Sequence, residues 1–141
     1  QPRVPISKEK ARRLLLGTGK VMVDIEEAID ESKDNFDWLR AVRIEQLYPF
    51  PKKELEKVID ELPNIEEIVW VQEEPKNMGS WHYVADYLRN LMRDGQSLRY
   101  IGRPNRSSPA VGEPNIHKVL QNKIIEKAIN PSKGGTTREG N

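Results

Sequence analysis

The feature that most constrains this chain is an alternation between short apolar runs and longer amphipathic stripes. The runs suited to β-strands lie at residues 13–16, 41–45, 68–72 and 98–101. Within the third, Ile68-Val69-Trp70-Val71 is continuously apolar and rich in β-branched residues, which is typical of a strand buried on both faces of a parallel sheet. The runs begin about 26 to 30 residues apart, close to the length of a β-α-β unit.

The segments between the runs carry the periodicity of amphipathic helices. Leu55, Val58, Ile59 and Leu62 follow the i, i+3, i+4, i+7 pattern, and Pro114 is suited to open a last helix. Strands that alternate with helices imply parallel pairing, with helices on both sheet faces. We therefore predict an α/β fold: a three-layer α/β/α domain around a mostly parallel sheet of four or five strands.

Composition at the two ends predicts where this domain stops. Residues 1–10 are polar and contain two prolines, so we expect a linker arriving from upstream domains. The alternating pattern fills residues 11–130. Residues 131–141 are rich in Gly, Thr and charge, which predicts a disordered tail or a cloning remnant.

The overall composition excludes several classes of site. There are no cysteines, which excludes disulfides, thiolate catalysis and cysteine-ligated metals. Lys and Arg number 23 against 22 Asp and Glu, so the net charge of +1 favours neither nucleic acid nor an anionic membrane as a partner. No apolar run approaches the roughly 20 residues that a membrane span needs.

A glycine-containing turn, Gly17-Thr18-Gly19-Lys20, joins the first strand to the first helix. In that position backbone N–H groups and the positive helix end favour an anion. A dinucleotide fingerprint requires a third glycine where this chain has Met22, and a P-loop requires Ser or Thr where it has Val21. A tight structural turn therefore remains the simpler interpretation.

Basic residues near the predicted strand ends are the other candidates for binding an anion, because guanidinium groups suit phosphates and carboxylates. They are equally suited to salt bridges with the chain's own carboxylates. The candidate effector-binding or anion-binding set is Thr18, Lys20, Arg43, Arg103 and Arg106.

Two adjacent carboxylates, Glu73 and Glu74, close the third strand and precede Pro75. Successive residues of a strand point to opposite faces, which argues against a catalytic pair and for a structural or interface role. The residues given that role are Glu73, Glu74, Pro75, Trp81, Ser108 and Pro109. We identify no catalytic residue and no metal ligand, and the residues alone do not establish a function.

Several longer strings resemble the C-terminal domain of the thiamine-diphosphate-dependent decarboxylating component of 2-oxoglutarate dehydrogenases. They occur in family order over about residues 12–129, although the usual family form has Gln at Met78 and Ala at Ser80. The strings are GTGKV at 17–21, VRIEQLYPFP at 42–51, WVQEEPKNMGSW at 70–81, LRYIGRP at 98–104 and SSPAVG at 107–112.

This resemblance implies a transketolase-type C-terminal domain within an oxidoreductase of the tricarboxylic acid cycle. The parent enzyme would decarboxylate 2-oxoglutarate and pass the succinyl group to a lipoyl arm. Thiamine diphosphate and magnesium would be held by other domains, so this segment alone is expected to bind no cofactor. The implied partners are the upstream domains, a second subunit of a homodimer and the dihydrolipoyl succinyltransferase.

The implied location is the cytoplasm, or the mitochondrial matrix in a eukaryote. A different class of function remains open beside the resemblance. The chain could be a standalone regulatory module that binds an acyl-CoA or a nucleotide effector near Thr18, Lys20 and the arginines.

Overall fold

The computed structural model describes residues 8–103 and 114–131, and strands and helices alternate throughout them. Among these residues, no helix is long and apolar enough to cross a membrane. The elements are β1 (Arg13–Gly17), α1 (Lys20–Glu31), β2 (Leu39–Arg43), α2 (Lys52–Asp60), β3 (Glu67–Pro75), α3 (Trp81–Leu91), β4 (Ser97–Arg103) and α4 (Pro114–Ile129).

The four strands form one sheet in the order β2-β1-β3-β4, and every neighbouring pair is parallel. Leu15 marks the register, since it lies between Ala41 of β2 and Val69 of β3. The predicted α/β class and parallel sheet are confirmed.

The direction of strand addition reverses once. The chain leaves β1 toward one side for β2 and then crosses to the other side for β3. This reversal makes the carboxyl ends of β1 and β3 a topological switch point.

Two apolar cores confirm the three layers. Alternate β1 residues enter opposite cores: Leu14 and Leu16 contribute to one, and Leu15 to the other. The first core packs α2 and α3 on one face of the sheet, and the second packs α1 and α4 on the other. Residues Ile68 to Val71 are buried within β3, as their apolar run predicts.

Strand β2 lies two residues earlier than the sequence predicts, at 39–43 rather than 41–45. The reason is that buried Leu39 pairs with Arg13 at the first position of β1. Ile44 follows the strand, but its N–H still donates to the Gly17 carbonyl at 2.8 Å. Val42 and Ile44 enter the same core, so the predicted shared face is confirmed although the strand limits are not.

The main feature absent from the sequence prediction is a buried cation at the start of β1. Arg13 is 1% exposed, and its Nε donates to Glu67 Oε2 at 2.6 Å. Its Nη1 donates to the carbonyls of Ala128 at 2.7 Å and Asn130 at 2.8 Å, just where α4 ends. The guanidinium also lies 4.8 Å from the ring centroid of Trp38.

Burial lowers the pKa of the Arg13 guanidinium, and the hydrogen bond to Glu67 opposes that shift. The cation donates hydrogen bonds to carbonyls that have no intrahelical donors because they lie at the end of α4. One side chain thus joins β1, β3 and the end of α4.

We expect Arg13→Ala to lower the free energy of unfolding by about 3–5 kcal/mol, because it leaves a largely buried carboxylate and the α4 carbonyls with fewer donors. Urea unfolding of the 141-residue chain measures this change. The matched control is Arg12→Ala, since Arg12 is exposed and contacts Glu66 at 3.6 Å. That variant should lose less than about 1 kcal/mol. Equal losses in the two variants would contradict the role given to Arg13.

Candidate functional site

Parallel pairing brings the predicted site residues to one edge of the sheet, where all four strands end. Thr18 and Lys20 follow β1, Arg43 ends β2, Glu73 lies near the end of β3, and Arg103 ends β4. This edge is where open α/β sheets commonly bind ligands. It is therefore the candidate functional site, and its chemistry depends on what these side chains already contact.

The start of α1 already holds a carboxylate from the same chain. Glu73 Oε2 accepts a hydrogen bond from the Val21 N–H at 3.0 Å. The turn before the helix depends on Gly19, whose φ of 76° lies in the region that favours glycine. Gly17 permits close packing, because a Cβ there would lie 2.7 Å from the Val71 carbonyl oxygen. An external anion at this helix start has to displace Glu73.

Two cations of the edge, Lys20 and Arg43, have acidic neighbours. Lys20 Nζ lies 2.9 Å from Asp24 Oδ1, and this hydrogen bond raises the pKa of the Lys20 ammonium. Arg43 Nε lies 3.0 Å from Glu45 Oε2. Both pairs are exposed, so they contribute little to stability, but they reduce the positive charge offered to a ligand.

A side chain from α4 completes the surroundings of Glu73. Gln121 Nε2 lies 3.2 Å from Asp24 Oδ2 and 3.5 Å from Glu73 Oε1. Consequently α1, β3 and α4 meet around one carboxylate at the switch point. This convergence supports the structural role predicted for Glu73.

A buried amide that the sequence did not reveal, Gln72, makes four hydrogen bonds at this edge. Its Oε1 accepts from Trp70 Nε1 and from the Trp81 N–H, both at 3.0 Å. Its Nε2 donates to the carbonyls of Glu74 at 3.2 Å and Pro75 at 3.0 Å. One amide therefore fixes the path from β3 to the start of α3.

The backbone packs closely around this amide. At Gly79 an added Cβ would lie 2.5 Å from the Gln72 side-chain carbon, and at Gly102 it would lie 2.5 Å from the Gln72 carbonyl oxygen. A larger residue at either position requires the surrounding segment to move.

The neighbouring Tyr100 hydroxyl donates to the Arg103 carbonyl at 3.0 Å. Burial raises the pKa of this hydroxyl to about 12. Tyr100 therefore stays protonated near neutral pH and acts as a structural donor.

The predicted interface residues take different positions. Trp81 is 3% exposed and packs against Tyr100 with ring centroids 5.3 Å apart, so it belongs to the core. Glu74 is exposed, and Pro75 ends β3 beyond a register irregularity that starts at Gln72. Three further predicted residues lie outside the described ones: Arg106, Ser108 and Pro109.

The sequence does contain a signal for Gln72, which is a single amide inside an otherwise apolar buried strand.

Comparison with known proteins assigns the chain to a family. The family model described as 2-oxoglutarate dehydrogenase C-terminal matches residues 2–129. This chain belongs to that family. It is 57% identical to the 2-oxoglutarate dehydrogenase E1 component of Oceanobacillus iheyensis over all 141 residues. It is 49% identical to the protein of the same name from Bacillus subtilis over 121 residues, which are 86% of this chain.

The matched segment is a small part of those relatives. It spans 15% of the Oceanobacillus protein and 13% of the Bacillus subtilis protein. The resemblance of individual strings to the 2-oxoglutarate dehydrogenase C-terminal family is thus confirmed over the whole domain. In the relatives, most of the polypeptide lies outside the region described here.

We expect Gln72→Leu to lower the free energy of unfolding by about 1–3 kcal/mol for each donor left without an acceptor. The two donors are Trp70 Nε1 and the Trp81 N–H. Urea unfolding followed by tryptophan fluorescence measures the loss. The control Gln46→Leu removes an exposed amide with a 2.8 Å bond to the Tyr48 carbonyl, and should cost less than about 1.5 kcal/mol. A stability of Gln72→Leu equal to that of the control would contradict the proposed connection.

Proposed function

We propose that this chain serves as the C-terminal structural and assembly domain of a 2-oxoglutarate-decarboxylating dehydrogenase. In this proposal the full polypeptide decarboxylates 2-oxoglutarate and transfers the succinyl group to a lipoyl group. The observation that carries it is the 57% identity, along the whole chain, to a protein named 2-oxoglutarate dehydrogenase E1 component. The parallel α/β fold is consistent with it, but a fold alone does not define an activity.

The arrangement of the edge residues supports an assembly role rather than chemistry within this segment. Gln72 and Glu73 bind groups of their own chain, and they hold loops and helix ends in place. Family membership along the whole domain also favours this function over a standalone acyl-CoA-binding or nucleotide-binding module.

The proposed cofactors of the full enzyme, thiamine diphosphate and magnesium, belong to its other domains. Among residues 8–103 and 114–131, no group of three or more His, Asp or Glu side chains is placed to hold a metal ion. Thiamine diphosphate would supply the stabilisation of the carbanion that decarboxylation leaves, and we assign none of that chemistry to this segment.

The proposed partners follow from the same assignment. They are the upstream domains of the same polypeptide, a second subunit of a homodimer and the dihydrolipoyl succinyltransferase. We place the domain at residues 11–130, with a linker before it and a tail after it. We propose the cytoplasm as its location, or the mitochondrial matrix in a eukaryotic relative.

The full-length polypeptide carrying this segment should reduce ferricyanide with 2-oxoglutarate when thiamine diphosphate and magnesium are supplied. It should not do so at a comparable rate with pyruvate. The isolated 141-residue chain should show neither this activity nor thiamine diphosphate binding by calorimetry. Turnover of pyruvate alone, or micromolar thiamine diphosphate binding by the isolated chain, would contradict the assignment.

The carboxyl edge of the sheet is also our proposed effector surface, formed by Thr18, Lys20, Arg43 and Arg103 together with Arg106. The bond between Glu73 and the Val21 N–H supports it, because it demonstrates that this helix start accepts a negative group. An effector phosphate, such as that of an acyl-CoA, would compete with the Glu73 carboxylate for this position.

Competition predicts opposite effects for substituting the acidic residue and the basic residues of this surface. Glu73→Gln should tighten acyl-CoA binding, because it removes the competing charge. Lys20→Ala and Arg103→Ala should each weaken it by about 1–3 kcal/mol, the range for a lost charged hydrogen bond. Isothermal titration of the full-length polypeptide measures both. The control is Lys57→Ala, since Lys57 is an exposed cation in the last turn of α2, toward the opposite edge of the sheet. Absence of binding by both the parent and Glu73→Gln would assign these residues to structure alone.

A further inference from the structure

Four aromatic rings form a continuous group on the layer of α2 and α3. Phe50 and Tyr87 stack with centroids 4.3 Å apart and an interplanar angle of 11°. Tyr48 lies 4.5 Å from Tyr83, and Tyr83 lies 5.3 Å from Tyr87. We call Tyr48, Phe50, Tyr83 and Tyr87 the aromatic surface.

The aromatic surface has a buried base and an exposed top. Phe50 is 9% exposed, whereas Tyr48 is 64% exposed and Tyr87 is 39% exposed. Among the described residues, the other large hydrophobic side chains with comparable exposure are Met78 and Val119. Clustered exposed aromatic residues mark interaction sites, and tyrosine is enriched where interfaces derive their binding energy.

Hydrogen bonds hold the outer rings in position before any partner binds. The Tyr83 hydroxyl donates to the Leu47 carbonyl at 3.2 Å, and the Gln46 amide donates to the Tyr48 carbonyl at 2.8 Å. The first bond ties the segment after β2 to α3, and the second lies within that segment. A surface already fixed in shape loses less conformational entropy when it binds.

Charged pairs adjoin the rings in sequence, as expected for the rim of an interface. Arg43 and Glu45 precede Tyr48, and their side chains are 3.0 Å apart. Asp86 and Arg89 flank Tyr87 on α3, and their side chains are 3.2 Å apart. An apolar centre with a polar margin is the usual composition of a protein–protein interface.

The chain also arrives on this layer of the domain. Lys8 Nζ lies 3.3 Å from Glu61 Oε1, and Asn64 Nδ2 donates to the Glu9 carbonyl at 2.9 Å. These contacts place residues 8 and 9 at the carboxyl end of α2, while Phe50 lies two residues before its start. Nine residues of helix separate the two ends, which corresponds to about 14 Å.

We propose that the aromatic surface is the docking site for the upstream part of the same polypeptide. The inference rests on the proposed function, in which this segment ends a much longer chain. In the matched relatives, more than four-fifths of the length lies outside this segment. A covalently attached partner acts at a high effective concentration, which favours it over a second copy.

Footprinting with hydroxyl radicals on the full-length polypeptide tests the occupancy directly. Tyr100 is the internal reference, since it is the same residue type and is 8% exposed. Docking predicts that Tyr48 and Tyr87 become as unreactive as Tyr100. If they keep the reactivity expected from 64% and 39% exposure, the proposal is wrong. If their protection disappears when dilution separates subunits, the occupant is a second copy, and the intramolecular proposal is also wrong.

Substitutions provide an independent measurement on the same polypeptide. Tyr48→Ser combined with Tyr87→Ser should speed proteolytic cleavage between this domain and the upstream part. The domain itself should stay folded, because Phe50 and Tyr83 remain. The matched control is Val119→Ser, which removes an exposed apolar side chain from α4 on the opposite layer. Equal cleavage of the double variant, the control and the parent would overturn the proposal.

Activity toward 2-oxoglutarate separates this inference from the proposed function. A full-length polypeptide that is active while Tyr48 and Tyr87 remain reactive refutes the docking surface alone. A polypeptide that shows protected tyrosines but turns over a different 2-oxo acid supports docking and refutes the assigned substrate.

Discussion

The buried Arg13 guanidinium is the interaction on which the arrangement of this domain depends. It binds Ala128 at a separation of 115 positions, so the first strand holds the end of the last described helix. Its second partner, Glu67, starts the central strand β3 and also lies 3.6 Å from Arg99 of β4. Because a buried cation needs several acceptors to offset its desolvation, these elements have to meet in one geometry.

The two edges of the sheet thereby differ in their chemistry. At the amino edge, a buried ion pair secures α4 against the sheet. At the carboxyl edge, Gln72 and Glu73 bind backbone donors of their own chain, at the place where other α/β proteins bind ligands. Among the described residues, Tyr48 and Tyr87 of the aromatic surface are the exposed large side chains that belong to one aromatic cluster.

The sequence predicted the features that local periodicity encodes, including the apolar run of β3 and the alternation of strands and helices. It missed those set by distant contacts. Arg13 precedes three leucines and resembles an ordinary strand start, and nothing nearby indicates a partner in α4. The aromatic surface has a weak local signal, since Tyr83 and Tyr87 are four residues apart on α3. Their contact with the segment after β2 depends on tertiary packing alone.

The convergence around Glu73 relates the candidate effector surface to the rest of the domain. The same carboxylate accepts a hydrogen bond from the Val21 N–H and lies 3.5 Å from the Gln121 amide of α4. An anion that displaced this carboxylate would remove both contacts at once. Gln121 would keep its 3.2 Å hydrogen bond to Asp24. Arg13 would still hold the end of α4, so the change would be confined to the part of the helix near the switch point. Binding at this edge could therefore alter the outer layer of α1 and α4 without unfolding the domain.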